Sequence, residues 1–252
     1  MYRLFILALT LCFLPLSGLA EDALICSGEL TGTYIWPEDA DETEANYIYR
    51  YAYPVFEADT TLDETVNEVF QSEVSWAMDF ECPMYITEPN AANMHTRVNV
   101  SSEITCLNTE MLSIRVDRVF TTGSSSSHKI KSFTFMLNGT NAGTITSLPY
   151  LLGILKTGES DEWYIQRQID KADKCVREMV WAEIEKDRKL DDSAIYDFIT
   201  LEDLDYCFYP EEDFYLDEAG GFVFYIQAGE IAPPEAGHFT YTFTLDELLD
   251  EI

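Results

Sequence analysis

Positive charge is what this sequence has least of. Its 252 residues hold 15 Lys and Arg against 46 Asp and Glu, a net charge of −31. So anionic a chain repels phosphate backbones and anionic lipid, which argues against nucleic-acid binding and electrostatic docking on a membrane. Histidine is scarce, with only His95, His128 and His238. No H-E-x-x-H, P-loop, G-x-G-x-x-G or G-x-S-x-G pattern occurs, so zinc-protease, nucleotide-binding and nucleophile-elbow signatures are all missing. No two cysteines lie at C-x2–4-C spacing, which argues against a structural zinc site. An EF-hand loop starting at Asp39 would need Gly at its sixth position and Glu at its twelfth, where the chain has Glu44 and Arg50. No metal and no cofactor is expected. After Leu16 no apolar run is long enough to cross a bilayer.

What is present is globular in composition, 47% hydrophobic and 13% aromatic, with enough chain for one or two domains around a real core. Arg3, the apolar run Leu4–Leu16 and Ser17-Gly18-Leu19-Ala20 form the pattern of a secretory signal peptide over 1–20. Cys12 follows Leu11 rather than a small residue, so a lipid anchor is rejected. The mature chain is expected to start near Glu21 and to be periplasmic or secreted, with Arg3 gone and a net charge of −32. An oxidising compartment makes Cys26, Cys82, Cys106, Cys175 and Cys207 disulfide candidates, and their odd number leaves one over.

Along the mature chain, Glu38–Glu44 is an acidic solvated loop. Tyr47–Phe56 is rich in strand formers, and Pro54 marks an edge or an end. A helix capped by Thr60 or Thr61 runs over about 61–81, with Leu62, Val66, Val69, Phe70, Val74 and Ala77 facing the core. Residues 94–122 alternate with a two-residue period on either side of Asn108-Thr109-Glu110, which predicts an antiparallel pair. Gly123 to Ser127 reads as a flexible loop that carries His128, Ile130–Leu137 as a strand, and Asn138-Gly139 as a turn. Asn99-Val100-Ser101 and Asn138-Gly139-Thr140 match the glycosylation pattern, which matters only in a eukaryotic secretory route.

The longest helix, about 160–190 and capped by Ser160, carries seven of the 15 cations. In so acidic a chain these are expected to neutralise neighbouring acids. After Lys189 there is no Lys or Arg, while residues 190–252 hold 17 acids among the aromatic strands Phe214–Leu216, Phe222–Ile226 and Phe239–Leu245. Carboxylates are so numerous that pairing any two as a glycosidase site is uninformative without geometry. Glu230 stands out because it precedes Ile231-Ala232-Pro233; its structural reading is a carboxylate that accepts backbone hydrogen bonds in a turn.

The C-terminal stretch resembles a known domain. Asp213-Phe214-Tyr215-Leu216, Gly221-Phe222-Val223-Phe224-Tyr225-Ile226, Glu230-Ile231-Ala232-Pro233, Gly237 and Phe239 are similar to the signature of an extracytoplasmic domain of unknown function. That domain is shared by the lysozyme-sensing anti-sigma factor RsiV and the N-terminal region of the peptidoglycan deacetylase PdaC. Lys131–Phe135 resembles its second strand, and Tyr53-Pro54 with the helix that follows resembles its N-terminal half. The chain departs from the pattern at Gly229 and Pro234, where the family has Tyr, and at Ser125, where it has His.

The resemblance implies an α+β fold with antiparallel sheets flanked by the two main helices, and a bacterial cell-envelope setting. It divides the mature chain into an N-terminal half, 21–155, and an acidic, β-rich C-terminal half, 156–252. It brings neither the deacetylase domain nor the anti-sigma segment, so a free-standing, non-catalytic exported domain is expected. Ligand-binding candidates are Glu230, Tyr225, Ser125 and His128; no residue is assigned a catalytic role. One reading is a binding module for a basic protein such as lysozyme, or for peptidoglycan. Its high negative charge speeds encounter with cations, although such charge also serves solubility alone. The alternative is a cell-wall glycan hydrolase or esterase with a carboxylate or Ser/His site, and a third is an envelope domain whose acidic loops bind calcium weakly.

Overall fold

The computed structural model describes residues 24–58, 61–87, 95–156, 158–190 and 199–252. Residues 1–20, expected to be a signal peptide, and Thr60 lie outside the described residues. The class is α+β, as expected. Strands β1 (Ile25–Trp36), β2 (Tyr47–Glu57), β3 (Thr96–Leu107), β4 (Met111–Thr122) and β5 (Ser125–Met136) form one sheet in that order. Strands β6 (Phe214–Leu216), β7 (Phe222–Ile226) and β8 (Phe239–Phe243) form a second, wholly antiparallel sheet. The helices are α1 (Leu62–Trp76), continued by a π turn (Ala77–Glu81) into α2 (Cys82–Thr87), then α3 (Leu148–Leu151), the long α4 (Glu162–Leu190), α5 (Leu204–Cys207) and α6 (Leu245–Glu251).

The chain divides into two compact units that interleave along the sequence. The first comprises 1–104, 116–128 and 137–144, and the second 105–115, 129–136 and 145–252. The first unit packs α1 on β2. Val66, Phe70 and Val74 of the helix are buried, as are Tyr47, Tyr49, Tyr51 and Tyr53. Those tyrosines alternate along β2 and so share one face. Their rings meet in a row, Tyr49 to Tyr51 at 5.6 Å and Tyr53 to Phe70 at 5.4 Å between centroids. Tyr51 also lies over Gly32 of β1, where an added Cβ would run into its ring. The second unit gathers Val176, Val180 and Ile184 of α4 with Phe208, Phe214, Phe222 and Phe224.

Several local expectations are corrected. β2 is an inner strand, paired antiparallel with β1 and parallel with β3. Pro54 is tolerated because the pairing with β3 ends at Tyr51↔Val100, before the missing N–H would be needed. Beyond that point Asn67 of α1 does a strand's work, accepting from Phe56 N at 3.0 Å and donating to Phe56 O at 2.8 Å. Residues 123–127 are not a loop. Gly123, at φ +60°, turns the chain within two residues, and β5 begins at Ser125.

The cap of α4 is Asp161, whose carboxylate accepts from Trp163 N and Tyr164 N at 3.0 and 3.2 Å; Ser160 stands one residue too early. Thr61 occupies the N-cap position of α1 without a side-chain cap bond. The last strand stops at Phe243, because Thr244 and Glu247 form a capping box that starts α6. Among the described residues four of the α4 cations pair within the helix itself, Lys174 with Glu178, Arg177 with Asp173, Lys186 with Glu183 and Lys189 with Glu185.

No disulfide joins any two of the five described cysteines. They sit on five different elements, β1, α2, β3, α4 and α5. Cys82 Sγ donates to Tyr47 OH at 3.3 Å, and Cys207 Sγ donates to Asp203 O at 3.4 Å. Burial pushes the Cys82, Cys106 and Cys175 thiols up, and Cys207 to about 11, away from the reactive thiolate. No helix among the described residues is long and apolar enough to cross a membrane.

Candidate functional site

The four candidates from sequence fall in two places. Ser125 and His128 belong to the first unit, Tyr225 and Glu230 to the second. Ser125 is the exposed first residue of β5. His128, on the same strand, sets Nε2 2.7 Å from Asp117 Oδ1 of β4, a cross-strand pair on the hairpin. Tyr225, 1% exposed, is a core residue of β7. Its hydroxyl lies 3.2 Å from Ser132 Oγ and donates to Glu212 O at 3.4 Å. Glu230 is exposed in the turn after β7, where its N–H donates to Gln227 O at 3.2 Å.

Tyr225 and Glu230 lead to the densest group of perturbed acids, which forms around the turn Tyr209–Asp213. Asp213 closes this turn on itself. Its Oδ2 accepts from Tyr209 N at 2.8 Å, and its own N–H donates to Tyr209 O at 2.7 Å. The turn is held to β7 by Tyr225 N donating to Asp213 O at 3.0 Å and by the Tyr225 hydroxyl. It is held to α4 by Arg177, whose Nε donates to Phe208 O at 3.1 Å. Arg177 also faces Asp205 at 3.3 Å and Asp173 at 3.5 Å, so one guanidinium serves two carboxylates and a carbonyl.

That sharing leaves negative charge uncompensated. Burial, and then the Glu211 carboxylate, push Asp173 up to about 7 against the pull of Arg177. Asp173 is 6% exposed, and its Oδ1 has no hydrogen-bond partner among the described residues. Burial also pushes Asp213 up to about 6, with Glu212 and Glu230 adding to the shift and the Tyr209 N–H opposing it. Glu211 is raised by burial, then by Glu212 and Asp170. Glu212 and Glu230 stand exposed at the surface of this group.

The arrangement attracts cations, because each added positive charge relieves several acids at once. Among the described residues no three His, Cys, Asp or Glu are grouped closely enough to hold a metal ion. Asp173, Arg177 and Glu211 were missed from sequence. The signal for Asp173 was an acid inside an apolar helical stripe, between Ile169 and Val176, with Arg177 one turn on.

No family model matches the chain. A search of curated proteins finds no relative either. Among solved structures, the fold is similar to that of a DUF3298 family member from Bacteroides fragilis NCTC 9343, at a TM-score of 0.50 and 17% identity over 90% of this chain and 93% of that one. A DUF3298 family protein from Pseudomonas aeruginosa PAO1 aligns at a TM-score of 0.49 and 10% identity, over 92% of this chain and 94% of that one. The likeness is one of fold, to a domain family of unknown function.

Proposed function

We propose that this chain is an exported, non-catalytic cell-envelope domain of the RsiV/PdaC-like kind, which uses the anionic turn 209–213 to recognise a cationic partner, a basic protein such as lysozyme. The observation that carries the reading is Arg177 of α4, shared between Asp173 of α4 and Asp205 of α5 just before that turn. It lies in a unit whose last 63 residues contain 17 acids and no Lys or Arg. Rim acids of this kind raise the association rate and select against anionic partners.

The test is a calorimetric titration of the chain with a basic lysozyme at low and physiological salt. Stoichiometric heat that survives physiological salt, and weakens about tenfold in Glu212→Lys/Glu230→Lys, supports the reading. Heat that vanishes with salt reduces it to charge attraction. No heat at either salt removes the basic protein and turns attention to peptidoglycan, for which a pull-down with purified cell walls is the corresponding measurement.

The hydrolase or esterase reading draws on one observation, that Asp173 and Asp213 titrate near neutrality as acid–base catalysts do. Against it, Asp173 is buried and Asp213 commits one oxygen to its own turn. Release of soluble fragments from cell walls, lost in Asp213→Asn, would restore it.

A further inference from the structure

α1, its π turn and α2 present an apolar stripe on the first unit. Trp76, Phe80 and Met84 are 50%, 64% and 58% exposed. They follow one another at four-residue spacing on one helical face. One exposed apolar side chain needs no explanation, but three in register make a patch. Beside them a groove of about 560 Å³ is lined by residues of the same helical element. Ser72 and Ser75 line it with short side chains, and the Ser72 hydroxyl is turned back onto Glu68 O at 2.8 Å. Trp76 and Phe80 line it with apolar surface, and Glu68 and Asp79 line it with carboxylates.

Charge selects the occupant. From Tyr51 through Thr96 the chain has nine Asp or Glu and no Lys or Arg. Arg118, a cation that meets this element among the described residues, is taken by the buried Glu81. A second copy of the chain would set these acids against themselves, and an anionic lipid surface would be repelled in the same way. A Lys or Arg, by contrast, can lay its alkyl stem on an exposed Trp and place its head on a neighbouring carboxylate. We propose that this groove docks an amphipathic, cationic helix of a partner protein, with its apolar face on Trp76, Phe80 and Met84 and its basic side chains on Glu68 and Asp79. This is a helix-in-groove mode, on different residues from the anionic turn of the second unit.

The test is calorimetry of the whole chain at physiological salt with an amphipathic Leu/Lys helical peptide and with a scrambled peptide of the same composition. The amphipathic peptide is expected to bind at least about tenfold more tightly than the scrambled one. Trp76→Ala/Phe80→Ala removes that advantage, while Glu212→Lys/Glu230→Lys keeps it within about twofold. Trp76 and Phe80 are exposed, so the double variant is expected to retain the wild-type circular dichroism and melting curve.

Equal binding of the two peptides, or undiminished binding by Trp76→Ala/Phe80→Ala, overturns the proposal. So does a loss confined to Glu212→Lys/Glu230→Lys, which assigns the cation to the turn. A concentration-dependent dimer of the wild type that Trp76→Ala/Phe80→Ala abolishes would make the groove a self-interface and overturn it as well. If the amphipathic peptide binds as described and lysozyme does not, the groove stands and the lysozyme reading falls.

Discussion

Glu81 and Asp173 are both buried carboxylates, 4% and 6% exposed, and each has an arginine beside it. In the first unit Arg118 is committed to Glu81, and its guanidinium lies over the Phe120 ring at 4.8 Å and the Tyr49 ring at 5.8 Å. In the second unit Arg177 divides itself among Asp173, Asp205 and the Phe208 carbonyl. The difference lies in how far each arginine is committed to its acid. A committed pair is structural and silent. Asp173, whose arginine is shared, is pushed up to about 7 by burial and then by Glu211, so it takes up a proton near neutrality.

The sharpest way to break the comparison is Arg118→Met. It leaves Glu81 buried without its partner, and a loss of about 3–5 kcal/mol is expected in urea denaturation, because an uncompensated buried charge costs more than the pair contributes. Adding Glu81→Leu to that variant is expected to recover most of the loss.

Next comes a device common to both units. Asn67 clamps Phe56 N and O, and Gln227 clamps Ile130, accepting from its N–H at 3.0 Å and donating to its carbonyl at 2.7 Å. Asn67→Ala or Gln227→Ala strands two backbone groups and is expected to cost about 2 kcal/mol in the same assay.

The pH dependence sharpens the contrast further. Asp173 ionises near 3.8 in the unfolded chain and at about 7 in the fold. Between those values the folded state holds a proton that the unfolded chain has released. Stability therefore falls as pH rises from about 4 to about 7 and is level above that. Asp213, raised to about 6, and Glu211 act in the same sense. Asp41, Asp203 and Glu247 are held below the usual carboxylate range by hydrogen bonds from their own turns, and their contribution is lost only as pH falls below that range. A melting temperature highest in mildly acid solution is expected. Asp173→Asn is expected to flatten the decline and raise the melting point at pH 8 by roughly 2–4 °C, about 1 kcal/mol. Arg118→Met should steepen the slope between pH 4 and 7, because Glu81, left buried without its cation, then favours its protonated form.

The smallest effect is at the C-terminus. Thr244→Ala removes the α6 cap and is expected to cost no more than about 1 kcal/mol.

Much of the architecture was legible in the sequence. Leu62, Val66, Phe70 and Val74 sit at helical spacing and bury one face of α1, and Ala172, Val176 and Val180 do the same for α4. The alternation on either side of Asn108 marks β3 and β4, whose three-residue link leaves only an antiparallel run. Other features needed neighbours that are distant in sequence. β1 was not marked as a strand from sequence, yet it pairs with β2 from Ile25 to Trp36 around one irregularity between Cys26 and Gly28. The β2–β3 pairing is parallel because the helical segment between them carries the chain back. α6 was missed although Thr244 and Glu247 stand at capping-box spacing, since the aromatic alternation before them reads as one longer strand.

The candidate site was legible only in part. Tyr225 and Glu230 lie beside the turn Tyr209–Asp213, but Tyr225 acts as a core hydroxyl that holds the turn, and the acids grouped there come from α4 and from the turn itself. Composition and periodicity act over a few residues, so the sequence by itself determined the negative charge, the two main helices, the aromatic strands and the α+β class. Which arginine belongs to which acid, which acid keeps its proton, and which apolar side chains stay exposed depend on residues brought together from remote segments. The local dielectric and the count of hydrogen-bond partners exist only once those segments have packed, and for that reason only the tertiary structure decided them.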